Sequence, residues 1–204
     1  MLIKLKDFER IYNVINSVVK NEGADPSVCC IFFSFFGSQI LFDHFKLNAQ
    51  PRAGLALYHV GGENGVIVFG EEAENGFTGE KAAFHSWIEV DGWALDFMAP
   101  AFSQLKNRRS SIPPKMLQKR LETMSSSPFE LSRPGDFYLE ATQTSTAKHM
   151  SILAQSQAYE DLAIICSRWF RKAPKKMHPN IGISDGKGNQ NPVSLTGKKL
   201  TGAW

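Results

Sequence analysis

The sequence contains few cysteines and no apolar run long enough to cross a membrane. It has 3 Cys among 204 residues, two of them adjacent, so we expect no disulfide framework and a reducing, cytoplasmic compartment. One uncharged run covers residues 28–42 but is broken by Gly-Ser-Gln, whereas a membrane span takes about 20 predominantly apolar residues. The chain is charged from its first residues, so no signal peptide is expected. These absences predict a protein that has no membrane partner.

Motifs that bind metals and nucleotides are also missing. Neither Cys-x-x-Cys nor His-x-x-x-His occurs, so no zinc site is expected. The phosphate-binding patterns Gly-x-x-x-x-Gly-Lys and Gly-x-Gly-x-x-Gly are absent as well, which argues against a nucleotide cofactor. The sequence therefore predicts no metal and no cofactor.

Positive charge is concentrated at the C-terminal end. The formal net charge is +3, but from Arg171 onward seven Lys or Arg face one acid, Asp185. A basic segment can meet nucleic acid, but the absence of interleaved aromatic residues favours a solvated segment. We therefore do not expect nucleic-acid binding. We divide the chain into a single folded domain at residues 1–172 and a basic, irregular extension at residues 173–204.

Residues 85–96 predict a β-hairpin that brings a histidine beside an aspartate. Two apolar-rich runs are joined by Asp91-Gly92, the strongest short-range signal for a two-residue type I′ turn. This turn fixes the register and makes His85 and Asp96 diagonal neighbours on one face, with Cα atoms roughly 7–8 Å apart. A carboxylate on one ring nitrogen of a histidine leaves the other nitrogen free to act as a base.

Cys30 is the candidate nucleophile for this base. Asp25 or Ser27 can cap a helix, Pro26 suits its first position, and an apolar run follows. Cys30 then lies in about the first turn, where the positive end of the helix dipole favours a thiolate. Cys29 is the alternative nucleophile, since one step along a helix turns a side chain by about 100°.

Both segments resemble parts of one enzyme superfamily. The run Cys30-Ile31-Phe32-Phe33-Ser34 is similar to the Cys-x-x-Phe-Ser start of the central helix in papain-like cysteine peptidases. Residues 85–96 are similar to the His-x-Trp…Asp hairpin of transglutaminase-like proteins, and residues 46–58 resemble the Gly-x-Pro-Ala-Arg segment between helix and sheet. The resemblance covers roughly residues 20–100, and it implies a catalytic triad of Cys30, His85 and Asp96.

The oxyanion site departs from the papain-like pattern. Those enzymes place a Gln that helps to bind the oxyanion six residues before the nucleophile, where this chain has Ala24. The second donor is therefore open, with Asn21 and the backbone amide of Cys30 as candidates. Trp87 shares the strand face of the catalytic histidine and is expected to wall the cleft or to shield the His–Asp bond from water. His59 lies in a neighbouring predicted strand, and a structural role is favoured over one in the cleft.

The predicted fold class is α+β with a cysteine-proteinase-like core. In this core a buried central helix at residues 26–45 packs against an antiparallel β-sheet. Periodicity and turn signals predict the remaining elements. They are helices at residues 5–20, 113–123, 144–155 and 157–171, strands at residues 54–60, 66–69 and 136–141, and a basic loop at residues 107–111.

The predicted function is cysteine-dependent acyl transfer from a peptide, amide or acyl substrate. Water as the acceptor would make the protein a peptidase or amidase, and an amine would make it an N-acyltransferase that uses an acyl-thioester donor. A transglutaminase-like binding or scaffold domain without turnover is the opposing hypothesis. The substrate, the acceptor and the oligomeric state are not assigned by the sequence.

Overall fold

The computed structural model describes residues 1–74, 76–79, 83–106, 111–184 and 187–204. Most of the expected basic loop, and Asp185, lie outside these ranges. The helices are α1 (Leu5–Asn21), α2 (Cys30–Phe45), α3 (Gln143–Ala154) and α4 (Gln157–Trp169). The strands are β1 (Gln50–Gly61), β2 (Gly65–Phe69), β3 (Glu71–Ala73), β4 (Gly76–Thr78), β5 (His85–Val90), β6 (Trp93–Asp96), β7 (Leu117–Arg120), β8 (Phe137–Ala141), β9 (Asn180–Ser184) and β10 (Gln190–Ser194).

Helix α2 lies at the centre of the molecule. The apolar stripe of α1, which includes Phe8, Ile11, Ile15 and Val18, is fully buried. Helix α2 is apolar on nearly all sides, and it packs against α1 and α4 as well as β1 and β5. The prediction of an α+β fold with an antiparallel sheet is confirmed. Among the described residues, no helix combines the length and apolarity that a membrane crossing requires.

Helix α2 approaches the sheet closely at Gly37. A Cβ atom at this position would lie 2.5 Å from the ring of Phe97 and 3.1 Å from the side chain of Ile88. Contacts this short are not tolerated in a close-packed interior without movement of the neighbours. The absence of a side chain at Gly37 therefore allows the helix to sit against β5 and the residue that follows β6.

The main sheet is antiparallel, and two strands follow one another along one edge of β1. Ala56 and Tyr58 pair with both β2 and β8, whereas Gly54 pairs with both β5 and β8. A strand residue has one neighbouring strand on each edge, so β8 occupies one edge while β2 and β5 share the other. The chain leaves this edge after Phe69, opposite Ala56, and returns at His85, opposite Gly54. Strands β6 and β7 extend the sheet from β5.

Two predictions of local structure are wrong. The central helix does not start at Pro26, because residues Pro26–Val28 form a separate 3₁₀ turn and α2 begins at Cys30. Residues 113–123 are not helical: they contain β7, which pairs with β6 from Trp93 opposite Arg120 onward, and a short 3₁₀ turn. A non-local strand partner decides the second case, since it satisfies backbone groups that a helix would otherwise pair internally.

The C-terminal segment is part of the fold. Residues 173–204 carry the hairpin of β9 and β10, in contrast to the irregular extension that their composition predicts. Leu200 is buried, and its N–H donates to the Glu9 carboxylate of α1 at 2.7 Å. The N–H of Trp204 donates to the carbonyl of Met116 at 3.0 Å. The segment therefore packs on α1 and closes beside β7.

Candidate active site

The hairpin of β5 and β6 has the predicted turn and register. Asp91 and Gly92 both have positive φ, 49° and 75°, as a type I′ turn requires. The strand pairing places Val90 opposite Trp93 and continues in step to Ile88 opposite Leu95. Because side chains alternate between the two faces of a strand, this register sets the imidazole and the carboxyl group of the candidate pair on the same face.

His85 and Asp96 form a fully buried pair. The Nε2 atom of His85 lies 2.6 Å from Oδ2 of Asp96, with side chains that are 0% and 1% exposed. The other carboxylate oxygen of Asp96 accepts the backbone N–H of Met98 at 2.8 Å. Both oxygens are therefore held, and the carboxylate fixes the orientation of the imidazole ring.

Aromatic rings enclose the His85 imidazole. Phe69 stacks on it with a centroid distance of 4.3 Å, while Tyr58 and Phe102 meet it edge-on at 5.8 and 6.0 Å. The Tyr58 hydroxyl is buried without an aligned hydrogen-bond partner among the described residues. Its burial, followed by the nearby charge of Asp96, raises the pKa of Tyr58 well above its ordinary value. Tyr58 therefore stays neutral.

The surroundings of His85 favour its protonated form. Burial opposes the charge, but the carboxylate of Asp96, by its charge and its hydrogen bond, and the neighbouring Cys30 outweigh burial and raise the pKa of His85 from 6.5 to about 10. The Nδ1 atom has no aligned hydrogen-bond partner in the described part of the chain. Because Nε2 is occupied by Asp96, Nδ1 is the nitrogen left to exchange a proton with the thiol.

Cys30 is the first residue of α2. Asp25 caps the preceding 3₁₀ turn, where its Oδ1 accepts the backbone N–H of Ser27 at 3.0 Å and the Ser27 hydroxyl at 2.8 Å. The chain then enters α2 with the Cys30 side chain 7% exposed, lining a cleft that His85 also lines. The N–H groups of a first helical turn have no intrahelical partner, so the backbone amide of Cys30 is available as a donor.

The other two cysteines have different surroundings. Cys29 precedes α2, and its burial, together with the charges of Cys30 and Asp25, raises its pKa to about 11. Cys166 of α4 is 0% exposed, and burial raises its pKa further still. Both thiols therefore stay protonated near neutral pH. Among the three cysteines, only Cys30 lines the cleft beside His85.

The remaining candidate residues are not gathered beside the sulfur. Asn21 is exposed at the end of α1, where its amide donates to Glu22 at 3.0 Å. His59 accepts the N–H of Gly61 at 3.2 Å, and strand alternation turns it away from the face that carries His85. Trp87 is 1% exposed and donates to Glu89 at 3.0 Å. It lies two residues from His85 on the same strand face, inside the core.

A pair of serines joins the helix to the hairpin. The hydroxyl of Ser34, one turn after Cys30, lies 2.7 Å from the hydroxyl of Ser86. Ser86 directly follows His85 and also donates to the carbonyl of Arg52 at 2.8 Å. A buried polar bridge thus connects the element that carries the thiol to the element that carries the imidazole.

Some groups around the pair were not found from the sequence. Tyr58, Phe69 and Phe102 come from three separate elements, and no local pattern marks them. The approach of Phe69 to His85 depends on β2 and β5 sharing an edge of β1, and Phe102 reaches His85 from the 3₁₀ turn at Ala99–Gln104. Both are tertiary features. In the described ranges, no group of three or more His, Cys, Asp or Glu side chains is arranged to hold a metal ion.

Comparison with known proteins relates this chain to a family. A crystal structure described as "The crystal structure of genomics APC5867" superimposes with a TM-score of 0.92 at 42% sequence identity, and the match covers 100% of this chain and 98% of that one. No curated protein matches the sequence. The model of the family described as "Protein of unknown function (DUF2026)" matches residues 4–204. The chain is therefore a member of the DUF2026 family.

Proposed function

We propose that this protein is a cysteine-dependent acyl-transfer enzyme with a papain-like or transglutaminase-like core. The observation that carries the proposal is the buried hydrogen bond of 2.6 Å between His85 Nε2 and Asp96 Oδ2. This bond leaves the second imidazole nitrogen, Nδ1, available to the Cys30 thiol at the start of α2. A charged pair buried to this degree costs free energy unless other contacts compensate for it. A role in proton transfer accounts for its presence beside a cleft.

In the proposed first step, the Cys30 thiolate attacks the carbonyl carbon of an amide, ester or thioester. The positive end of α2 and the imidazolium of His85 stabilise the thiolate. The negative charge that develops on the carbonyl oxygen receives a hydrogen bond from the backbone amide of Cys30. His85 then gives its Nδ1 proton to the leaving group, and an acyl-thioester on Cys30 results.

In the second step, water or an amine attacks the acyl-thioester while neutral His85 accepts a proton from the acceptor. Cys30 leaves as a thiolate and His85 is again an imidazolium. Asp96 orients the ring and balances its charge throughout. Water as acceptor gives a peptidase or amidase, and an amine gives an N-acyltransferase.

Thiol reactivity tests this proposal. We expect iodoacetamide to label one cysteine rapidly at pH 6, and peptide mapping to identify Cys30. The His85→Ala variant should lower this rate by roughly 10³-fold, since loss of a catalytic base costs several kcal/mol of stabilisation. Circular dichroism should first establish that the variant folds.

The scaffold hypothesis predicts a different result. A domain that has this fold but does not catalyse a reaction does not require an activated thiol. All three cysteines would then be labelled slowly and at similar rates. That outcome, in protein shown to be folded, would refute the acyl-transfer proposal. The acceptor is then assigned by offering an acyl-thioester donor with and without an amine and measuring the product by mass spectrometry.

A further inference from the structure

The cleft beside Cys30 is lined mainly by apolar groups. It has a volume of about 370 Å³. Seven apolar residues line it together with Cys30 and His85, from five separate segments of the chain. These are Val28, Val68, Phe69, Ala83, Phe84, Met98 and Leu105.

Polar side chains at the cleft are already engaged. Ser27 is the remaining hydroxyl in the described lining, and it donates to Asp25 at 2.8 Å. The carboxylate of Glu71, close to the cleft, accepts the backbone N–H of Ala83 at 3.0 Å. Within the described residues, therefore, no Asp, Glu, Lys or Arg side chain lines the cleft to receive a charged substrate group.

The charges of the reacting groups disfavour an anionic ligand. The thiolate of Cys30 and the carboxylate of Asp96 together outnumber the single positive charge of His85, so an anionic group in the cleft meets net repulsion. A cationic group away from the thiolate would exchange water for apolar side chains, with no carboxylate among the described lining residues to balance its charge. Transfer of an unpaired charge into such surroundings costs several kcal/mol, whereas an apolar group gains free energy from the area that it buries.

We propose that this cleft binds the acyl group of an uncharged, apolar carbonyl compound, such as a medium-length aliphatic chain or a single aromatic ring. The inference rests on the proposed function and names its substrate class. The volume lies near the lower end of about 300–1,000 Å³ that is usual for small-molecule sites, which suits one acyl group.

The proposal is tested in a single acylation step with p-nitrophenyl esters. The Cys30 sulfur forms a bond to the carbonyl carbon, the ester C–O bond breaks, and p-nitrophenolate departs with the bonding electron pair. The absorbance of p-nitrophenolate gives the rate. Intact-protein mass spectrometry identifies the acyl group, and Cys30→Ser gives the background.

Two pairs of esters have acyl groups of matched shape. Hexanoyl and adipoyl groups differ by a methyl against a carboxylate at the chain end. The γ-tert-butylbutyryl and γ-trimethylammoniobutyryl groups differ by a carbon against a positively charged nitrogen. We expect each neutral ester to acylate Cys30 at least about ten-fold faster than its charged partner.

Substitution of a lining residue should change this preference in a defined direction. Val28 lines the cleft from the turn that precedes Cys30 and is largely exposed, so Val28→Lys should raise the adipoyl rate relative to the hexanoyl rate, and Val28→Asp should do the same for the cationic ester. Val28→Leu is the matched control and should retain the preference for neutral groups. If the control retains this preference, the altered preference of the other two variants results from the introduced charge and not from general damage to the site.

The outcomes separate this inference from the proposed function. If a charged ester acylates Cys30 as fast as its neutral partner, the apolar substrate class is refuted while acyl transfer stands. If no ester acylates Cys30 and iodoacetamide also fails to label it selectively, acyl transfer itself is refuted. If Cys30 is labelled rapidly by iodoacetamide but by neither neutral ester, the assigned acyl class is refuted alone.

Discussion

The hydroxyl groups of Ser34 and Ser86 lie 2.7 Å apart between α2 and β5. The two residues follow the proposed nucleophile and the proposed base by one helical turn and by one residue, respectively. Their bridge therefore fixes the position of the helix that carries Cys30 relative to the strand that carries His85. Its removal should affect reactivity as well as stability.

The first prediction concerns this bridge. Ser34→Ala or Ser86→Ala alone should lower the free energy of unfolding by about 1–3 kcal/mol, because each leaves a buried hydroxyl with one partner fewer. The double variant should cost less than the sum of the two. Urea denaturation measures the stabilities, and the rate of Cys30 alkylation reports the position of the thiol. Additive losses with an unchanged alkylation rate would show that the bridge does not position the site.

The second prediction distinguishes the adjacent cysteines. The pKa of Cys29 is raised to about 11, first by burial, so this thiol stays protonated at neutral pH. Cys29→Ala should retain rapid alkylation within roughly three-fold, whereas Cys30→Ala should abolish it. Mass spectrometry of labelled peptides gives the answer. Loss of rapid labelling in folded Cys29→Ala alone would reverse the assignment.

The third prediction follows from the protonation of His85. Its pKa in the folded chain is about 10, against 6.5 as the ordinary value, so folding favours the protonated ring. The resulting stabilisation is fully present below about pH 6.5 and is lost as the pH rises toward 10. The free energy of unfolding should fall over this window by at least about 1 kcal/mol more in the wild type than in Asp96→Asn. Parallel curves in urea titrations at several pH values would contradict a raised pKa.

The fourth prediction concerns the approach of α2 to the sheet. In an exposed helix Gly→Ala gains about 1 kcal/mol of helix propensity, but the Cβ at position 37 would lie 2.5 Å from the Phe97 ring. Overpacking of this kind costs about 1–3 kcal/mol, so Gly37→Ala should destabilise the protein. Thermal denaturation measures the change. Stabilisation by the full propensity gain would show that Phe97 moves freely.

The fifth prediction concerns the C-terminal hairpin. Val193 of β10 is 4% exposed, whereas the next residue, Ser194, is exposed. Val193→Asp should cost about 3 kcal/mol or more because it buries a charge without a partner. Ser194→Asp, the matched control, should stay within about 0.5 kcal/mol of the wild type. Equal effects in chemical denaturation would mean that this segment does not pack on α1.

The predictable features of this chain are those encoded over short distances. Asp91 and Gly92 determine a turn, and the turn determines which residues of the two flanking strands share a face, so the His85–Asp96 pair follows from a few consecutive positions. Residues 113–123 have no such local determinant. Their strand forms because it pairs with the outer edge of β6. This partner is distant in the sequence, so no local pattern predicts the strand.

The C-terminal segment shows the same distinction. Its Gly-, Asn- and Lys-rich composition resembles that of solvated chains, yet Leu200 is buried and bonded to Glu9, nearly the whole sequence away. The rings of Tyr58, Phe69 and Phe102 around His85 are likewise brought together by contacts between separate elements of the fold. A single sequence carries no signal for contacts of this kind.

The shared edge of β1 has a consequence for how this site can diversify. Phe69 and His85 are held at neighbouring positions by their partners Ala56 and Gly54, so the intervening residues do not set the spacing between them. That segment contributes Gly70, Ala83 and Phe84 to the cleft. A substitution in this segment can therefore alter the cleft while the imidazole keeps its place, except at Gly70 and Gly79, where a Cβ atom would lie only 2.4 and 2.1 Å from Leu55 of β1.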